Sequence, residues 1–258
     1  MNSEDQIKDS AALLLDIGNT NLKWAWLRNG ELADVTTVQH KGQDMATLAA
    51  REWGDGDRPD QLYISCVAGR ATEEKLTDWS KQNWDVEPLF VQAAAQGCGV
   101  INSYSEPQRL GIDRWLSMIA LHTNSPGPVC VVDCGTAVTI DSIGLEGQHL
   151  GGLILPGFGM MLQSLTENTT ITFENAAKSD GLLATDTETA VAAGGVIAVA
   201  ALVEQIQREV ASEYGVAVDL VLTGGDAAIL HKALRIPSRI VDDLVLQGLV
   251  EIIKDGVD

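Results

Sequence analysis

The chain has few basic residues for its length. Its 258 residues include 17 lysines and arginines against 36 aspartates and glutamates, which gives a formal net charge of −19. A surface with this charge repels the phosphates of nucleic acids and of anionic lipids. We therefore expect no nucleic acid and no membrane as a partner, and a site for a phosphate ligand must be organised locally.

Cysteine is scarce as well, and the sequence shows no metal-binding spacing. Cys66, Cys98, Cys130 and Cys134 form no CxxC pair and have no nearby histidine partners, so neither a zinc site nor a disulfide framework is indicated. Reduced thiols of this kind are typical of a cytoplasmic protein, and we expect that location.

Long apolar runs and several familiar motifs are missing too. The most hydrophobic segment, 190–203, is interrupted by Gly194 and Gly195 and is shorter than the roughly 20 residues that span a bilayer, so we predict a buried helix there. The sequence contains no Gly-Lys pair for a P-loop, no complete GxGxxG, no GxSxG and no HExxH. A P-loop nucleotide site, a simple Rossmann dinucleotide site and the common hydrolase active sites are therefore excluded.

Two similar turns stand out against these absences. One apolar run leads into Asp-Ile-Gly-Asn-Thr at 16–20, and another leads into Asp-Cys-Gly-Thr at 133–136. An acid at a strand end can hold a hydrated cation, while glycine lets backbone amides approach an anion. Asp-x-Gly also occurs in ordinary turns. Two copies, each between strand patterns, nevertheless indicate phosphate handling by two similar domains.

The surrounding patterns favour an internal duplication in an α/β protein. Each turn follows the first of three predicted strands, which are at 12–15, 22–28 and 32–38 and again at 129–132, 137–143 and 149–155. Small polar residues and prolines at 123–128 suggest a boundary. We predict a flexible N-terminal extension at 1–11, an N-terminal domain at 12–124 and a C-terminal domain at 125–258.

Helical spacing covers much of the remainder. A helix is predicted to begin after Gly111, with Asp113 and Arg114 in its first turn. A long apolar helix is predicted over 188–214, with Gly215 at its end. The last helix is predicted from about Asp243 to Lys254.

Five motifs occur in a particular order and together carry a family resemblance. They are Asp16-Ile-Gly-Asn-Thr-Asn-Leu-Lys23, Gly111-Ile-Asp-Arg114, Asp133-Cys-Gly-Thr-Ala-Val-Thr139, Gly151-Gly-Leu-Ile-Leu-Pro-Gly157 and Thr223-Gly-Gly225. Over about residues 12–250 the chain closely resembles type III pantothenate kinases, of the acetate and sugar kinase, Hsp70 and actin superfamily. The resemblance implies two ribonuclease-H-like domains with ATP in the cleft between them. It also implies a homodimer that phosphorylates pantothenate, the first step of coenzyme A biosynthesis.

The resemblance also assigns roles to individual residues. The implied ATP contacts are Asp16, Ile17, Gly18, Asn19, Thr20, Asn21, Leu22, Lys23 and Thr136. The implied pantothenate contacts are Tyr104, Gly111, Ile112, Asp113, Arg114 and Thr187. Asp113 matches the proposed catalytic base, and Asp133 matches the site of a monovalent cation, K⁺ or NH4⁺. The magnesium that accompanies ATP would be held through water by Asp16.

Three points stay open in the sequence. Asp186 replaces the asparagine of the family pattern directly before Thr187. Arg114 could pair with an acid such as Asp113 instead of a substrate carboxylate. The alternatives to a pantothenate kinase are a non-catalytic nucleotide-binding regulator and a kinase of the same superfamily that acts on another small acceptor.

Overall fold

The computed structural model describes residues 11–125, 127–170 and 183–256. The predicted N-terminal extension at 1–11 lies outside the described residues, apart from Ala11. The backbone contacts divide the chain into two compact units. The first unit contains residues 1–124 and 243–258, and the second contains 125–242.

The first unit is built around a six-stranded sheet. Its strands are β1 (Ala12–Ile17), β2 (Asn21–Arg28), β3 (Glu31–Leu32), β4 (Thr36–Gln39), β5 (Gln61–Cys66) and β6 (Leu89–Phe90), with a separate hairpin of β7 (Gln96–Gly97) and β8 (Val100–Ile101). Its helices are α1 (Met45–Trp53), α2 (Arg70–Trp84), a 3-10 turn (Pro107–Arg109), α3 (Ile112–Asn124) and α7 (Leu244–Asp255). Strand β1 is central, antiparallel to β2 and parallel to β5.

The second unit repeats this sheet order. Its elements are β9 (Val129–Cys134), β10 (Ala137–Ile143), β11 (His149–Pro156), α4 (Phe158–Asn168), α5 (Thr187–Tyr214), β12 (Asp219–Thr223), α6 (Ala227–Ala233) and β13 (Arg239–Ile240). The order β11-β10-β9-β12-β13 parallels β3-β2-β1-β5-β6, with an antiparallel hairpin on one side and parallel strands on the other. The duplication inferred from the two turns is therefore present in the sheets.

Hydrophobic residues explain why each unit forms its own core. In β1 every residue except Asp16 is buried, because both faces of this central strand are covered. Four tryptophans of the first unit pack together, with Trp53 within about 6 Å, ring centre to ring centre, of Trp24, Trp79 and Trp84. The second core is made mainly of valines, leucines and alanines from β9, β12 and α5.

The turn after β2 is the Asn-Gly hairpin turn predicted from the sequence, but the third predicted strand is not continuous. Asn29 and Gly30 both have positive φ, 55° and 79°, as an Asn-Gly hairpin turn requires. The strand predicted over 32–38 is two short strands, because β3 pairs with the end of β2 and β4 pairs with its beginning. The chain leaves the sheet between them.

The predicted C-terminal domain at 125–258 is wrong at its end. Helix α7 packs against α3 and belongs to the first unit. The two helices approach closely at Gly248, where a β-carbon would clash with the backbone carbonyl of Leu116. A helix that follows the second sheet in sequence thus completes the core of the first.

The predicted buried helix at 190–203 is also wrong in one respect. Helix α5 forms and ends at Gly215 in the left-handed conformation, with φ of 66°. Its buried residues are Thr189, Val199, Ala200, Val203 and Val210, so most residues of the helix are only partly covered or exposed. Among the described residues, α5 is the one helix that is long and apolar enough to cross a membrane. Core helices of soluble proteins also meet these two criteria.

The close contact of α3 with α7 makes a stability prediction. Gly248→Ala should lower the free energy of unfolding by about 1–3 kcal/mol, because the added methyl group forces the two helices apart. Gly56→Ala is the control, since its nearest neighbour would be the Trp53 carbonyl oxygen at an ordinary 3.5 Å. Urea unfolding followed by circular dichroism measures both. Equal midpoints for the two variants would contradict this packing.

Candidate functional site

The Asp16 carboxylate lies at the end of the central strand of the first unit. Its neighbour in β2 is Lys23, and its neighbour in β5 is Ser65. The hydroxyl of Ser65 donates to Oδ1 of Asp16 over 3.3 Å. Asp16 is half-buried while the rest of its strand is almost fully buried. The strand therefore presents one acidic group at the point where the turn begins.

The turn after Asp16 is closed by its own backbone and by His40. The N–H of Gly18 donates to the carbonyl of Asn21 over 3.0 Å. Nε2 of His40 lies 2.7 Å from the carbonyl oxygen of Gly18. The carbonyl of Thr20 accepts the N–H groups of His40 and Lys41, at 3.0 and 3.2 Å. The sequence interpretation gave His40 no role in this turn.

Not every residue of the segment 16–23 can contact a ligand in the same way. Ile17 and Leu22 are fully buried in the core, so only their peptide groups are available to a ligand. Asn19 and Asn21 are exposed, and Gly18 and Thr20 are half-buried. The polar side chains and the backbone of the turn therefore form its accessible part.

Lys23 is held by an aspartate from the far end of the chain. Its Nζ lies 2.7 Å from Oδ1 of Asp243, and both side chains are about a quarter to a third exposed, at 30% and 24%. Asp243 has φ of 57° and directly precedes α7. The position of the ammonium group beside the turn thus depends on α7, which the sequence interpretation placed in the other domain.

Asp113 lies in the first turn of α3, as predicted, and Gly111 makes room for it. A β-carbon at Gly111 would stand 2.6 Å from Oδ1 of Asp113. The same oxygen accepts the backbone N–H of Arg114 over 2.8 Å. Ile112, between them, is buried in the core. In the Gly-Ile-Asp-Arg sequence, Ile112 therefore anchors the segment in the core, Gly111 leaves space, and Asp113 supplies a half-buried carboxylate.

Arg114 links that carboxylate to Tyr104, because its backbone N–H donates to Asp113 and its side chain donates to Tyr104. The Arg114 side chain is almost completely buried, at 6% exposure, and its Nη1 donates to the hydroxyl of Tyr104 over 3.0 Å. The guanidinium carbon is 5.8 Å from the centre of the Tyr104 ring. These contacts bring together three of the residues predicted from the resemblance, Tyr104, Asp113 and Arg114.

Asn102 positions the loop that carries Tyr104, a role that the sequence interpretation missed. Its Nδ2 donates to the carbonyls of Ala94 and Pro107, at 3.0 and 3.2 Å. Its Oδ1 accepts the N–H of Tyr104 at 3.0 Å. Asn102 is buried, so these bonds replace contacts with water. Its only sequence signal is a polar residue after the short strand β8.

In the second unit Asp133 occupies the position that Asp16 has in the first. Its sheet neighbours are Thr139 in β10 and Thr223 in β12. The turn is closed by the N–H of Gly135, which donates to the carbonyl of Ala137 over 3.0 Å. Thr136 is exposed at its tip. The first aspartate thus has a lysine and a serine beside it, whereas the second has two threonines.

Glycines from two distant motifs press against this second turn. A β-carbon at Gly224 would clash with Oδ1 of Asp133 and with the Cys134 carbonyl, and Gly224 also has φ of 89°. A β-carbon at Gly157 would clash with the carbonyls of Gly135 and Thr136. The N–H of Gly157 donates to the Thr136 carbonyl over 3.0 Å. The Thr-Gly-Gly motif and the end of the 151–157 motif therefore shape one site.

The donors around Asp133 suit a hard cation. Its Oδ1 and the Cys134 carbonyl border a space that a side chain on Gly224 would fill, and Thr223 is its neighbour in β12. Cys134 does not compete as a ligand, because burial and the charges of Asp133 and Asp226 raise the pKa of its thiol to about 12. The described residues contain no cluster of three or more acidic, histidine or cysteine side chains that could hold a metal.

Thr187 is the first residue of α5 and is exposed. Asp186, which departs from the family pattern, caps this helix, and its Oδ1 accepts the N–H of Thr189 over 2.8 Å. That bond lowers the pKa of the Asp186 carboxyl. Since aspartate and asparagine cap helices about equally well, the departure leaves the helix start intact.

Known proteins resemble this chain over nearly its whole length. A profile of type III pantothenate kinases matches residues 12–209. The type III pantothenate kinase of Nitrosococcus oceani is 36% identical over 249 residues, covering 94% of each chain. That of Leptothrix cholodnii is 35% identical over 261 residues, covering 95% of this chain and 97% of the relative.

Solved structures support the fold. A Campylobacter jejuni protein assigned to the Baf family of transcriptional activators superposes with a TM-score of 0.63 at 23% identity, covering 95% of this chain and 98% of that one. The ethanolamine utilization protein EutJ of Carboxydothermus hydrogenoformans gives 0.51 at 12% identity, covering 96% and 89%. At these identities the likeness concerns the fold alone.

Two adjacent glycines allow a sharp test of the second turn. Gly224→Ala should lower the free energy of unfolding by about 1–3 kcal/mol or more. The methyl group would meet Asp133, and the backbone at this position is left-handed. Gly225→Ala should have little effect, since a β-carbon there has no neighbour within 4 Å. Thermal unfolding compares the two. Loss of stability in Gly225→Ala alone would contradict the described geometry.

Proposed function

Because the chain belongs to the type III pantothenate kinase family, we propose that it transfers the γ-phosphate of ATP to pantothenate, forming 4'-phosphopantothenate at the start of coenzyme A biosynthesis. The observation that carries this proposal is the cluster of Asp113, Arg114 and Tyr104 in the first unit. A phosphate turn alone would fit many acceptors. A carboxylate followed directly by a buried arginine, whose guanidinium is oriented by Tyr104, fits an acceptor that has both a hydroxyl and a carboxylate.

The turn at 16–23 is proposed to bind the ATP phosphates. Its exposed peptide groups can donate to phosphate oxygens, and Lys23 supplies a positive charge beside them. Thr136 in the second unit is included because it matches an ATP contact of the family. Binding of this kind aligns the terminal phosphate and neutralises its charge, which is most of what phosphoryl transfer asks of a protein.

Magnesium is proposed to accompany ATP, with Asp16 holding its hydration shell. The half-buried Asp16 carboxylate suits this role because Ser65 fixes one oxygen and leaves the group at the edge of the sheet. When bound, the ion neutralises charge on the phosphates. Asp133 is proposed to hold a monovalent cation, K⁺ or NH4⁺, in the oxygen-lined space beside Gly224.

Asp113 is proposed to act on the hydroxyl group of pantothenate. One of its oxygens is engaged by the N–H of Arg114, which fixes the carboxylate plane. The carboxylate can then orient the attacking hydroxyl and accept its proton as the phosphoryl group is transferred. Gly111 leaves the space that this orientation needs.

Arg114 and Tyr104 are proposed to bind the pantothenate carboxylate. A guanidinium presents a planar pair of donors that matches a carboxylate, and the Tyr104 hydroxyl limits its rotation. Gly111 and Ile112 hold the backbone of this segment, and Thr187 is included from its match to a family contact. The reaction is proposed to take place in the cytoplasm, which suits the four free cysteines.

We also propose that two copies of the chain form a homodimer through the second unit. Strand β11 lies at the edge of its sheet and exposes Leu153, at 45%, on the sheet face that α4 and α5 cover, because Leu153 pairs with the core residue Ile140. Helix α4 packs on β11 and α5 and exposes Met160 and Leu165. With the uncovered side of α5, these residues form one apolar face of a kind that marks an interface.

Removal of the Asp113 charge tests the catalytic proposal. Asp113→Asn should reduce turnover of pantothenate about 100-fold or more while the melting temperature stays near that of the wild type. Asp55→Asn, at an exposed position in the same unit, should leave turnover unchanged. ADP release in the presence of pantothenate measures both variants. Full activity in a folded Asp113→Asn variant would rule out the assigned role.

Thermal-shift measurements separate pantothenate from other acceptors. With ATP present, pantothenate should raise the melting temperature, while acetate and sugars should not, because a ligand stabilises the state that binds it. A shift with ATP but with none of the acceptors would favour a nucleotide-binding regulator. A shift with a sugar or acetate instead would favour another kinase of the superfamily.

One charge on the apolar face tests the homodimer. Leu153→Glu should convert the dimer to a monomer, because the interface would bury an unpaired carboxylate. Ile229→Glu is the control, since Ile229 is also exposed, at 46%, but lies on α6. Light scattering after size-exclusion chromatography gives the mass. A monomeric wild type, or a dimeric Leu153→Glu variant, would count against this interface.

A further inference from the structure

We propose that His40 is a positioning residue for the ATP phosphates, because it fixes the peptide group between Gly18 and Asn19. The inference rests on the proposed function, in which the turn at 16–23 contacts ATP. His40 follows β4, well outside the motif that it supports. Neither the motif nor the chemistry of the turn identifies this histidine.

The contacts of His40 are directed at the backbone of the turn. Nε2 lies 2.7 Å from the carbonyl oxygen of Gly18, and the backbone N–H of His40 donates to the Thr20 carbonyl over 3.0 Å. The residue is buried, with 8% exposure. His40 therefore holds the carbonyl groups of Gly18 and Thr20, the residues on either side of Asn19.

Because the peptide group is planar, the contact with the Gly18 carbonyl also sets the direction of the Asn19 N–H. In a planar trans peptide the C=O of one residue and the N–H of the next point in opposite directions. When the Gly18 carbonyl points at His40, the N–H of Asn19 must point away from His40. Glycine has wide rotational freedom, so without His40 this peptide could turn. The histidine thus aims a phosphate donor that it does not touch.

The role of His40 differs from acid–base catalysis. Because a carbonyl oxygen only accepts, Nε2 carries the proton of this bond, and it does so in both the neutral and the cationic ring. The side chain is also directed at the backbone and not at a reacting group. Its loss should therefore change binding of the phosphates and leave the pH profile of turnover as it is.

Three substitutions test the role of the Nε2 donor. His40→Gln places an amide N–H near the position of Nε2, His40→Met has a similar length but no donor, and His40→Asn carries its donor on a shorter side chain. The control is His231→Gln, since His231 is exposed and bonds to Ser238. Calorimetry with ATP and with adenosine measures binding, and initial rates give KM and kcat. Circular dichroism checks the fold.

We expect His40→Met and His40→Asn to weaken ATP binding and raise the KM for ATP about tenfold, which is the usual effect of one lost hydrogen bond. Adenosine binding and the KM for pantothenate should stay within about twofold, as only the phosphates depend on this peptide. His40→Gln should restore ATP binding to within about threefold of wild type. His231→Gln should match the wild type.

Several results would overturn the inference. Wild-type ATP affinity in a folded His40→Met variant would do so, as would equal losses for ATP and adenosine. A folded His40→Gln variant no better than His40→Met, or unfolding of both His40→Met and His40→Asn, would assign His40 a structural role instead. Binding is measured without turnover, so a wild type that binds ATP but leaves pantothenate unchanged would refute the proposed function and not this role of His40.

Discussion

The candidate site depends on the close approach of backbone to carboxylate. Asp113 and Asp133 each have an oxygen where a β-carbon on a neighbouring glycine would stand, at Gly111 and Gly224. No other residue type leaves this space without moving the acid or the backbone. The glycines in the motifs therefore hold acidic groups in defined positions, in addition to forming turns.

The repeated sheet explains why the two aspartates are alike and also why they differ. Each ends the central strand of its unit, so each reaches the edge of a sheet from a buried strand. The neighbouring strands then supply different groups, Lys23 and Ser65 to Asp16 but Thr139 and Thr223 to Asp133. A lysine suits anionic phosphates, whereas hydroxyl and carbonyl oxygens suit a cation. Duplication has thus given two related positions different chemistry.

Local patterns in the sequence were sufficient for most of the fold. Helices α3 and α5, the strands around both turns and the Asn29-Gly30 hairpin follow from periodicity, capping and turn residues within a few positions. The membership of α7 did not, because nothing in a sequence says which core an apolar helix will cover. The exposed side of α5 was missed for the same reason, since an apolar helix is equally compatible with a core and with an interface.

The same distinction applies to the site. Motif residues such as Asp16, Asp113 and Asp133 could be identified because their spacing is local. His40, Asn102 and Asp243 act from distant parts of the chain, through single hydrogen bonds or an ion pair. They hold Gly18, Tyr104 and Lys23, respectively. A polar residue after a strand or before a helix has many ordinary explanations. Only the folded arrangement distinguishes a supporting contact from a surface residue.

The proposed phosphoryl transfer is tested by the product that the wild-type protein forms from ATP, magnesium, potassium and pantothenate. Mass spectrometry should show phosphopantothenate, and ADP should appear in equal amount, because the acceptor hydroxyl takes the phosphoryl group. Omission of pantothenate should leave ATP intact. Folded protein that releases ADP without phosphorylating pantothenate, or that releases none, would contradict the account.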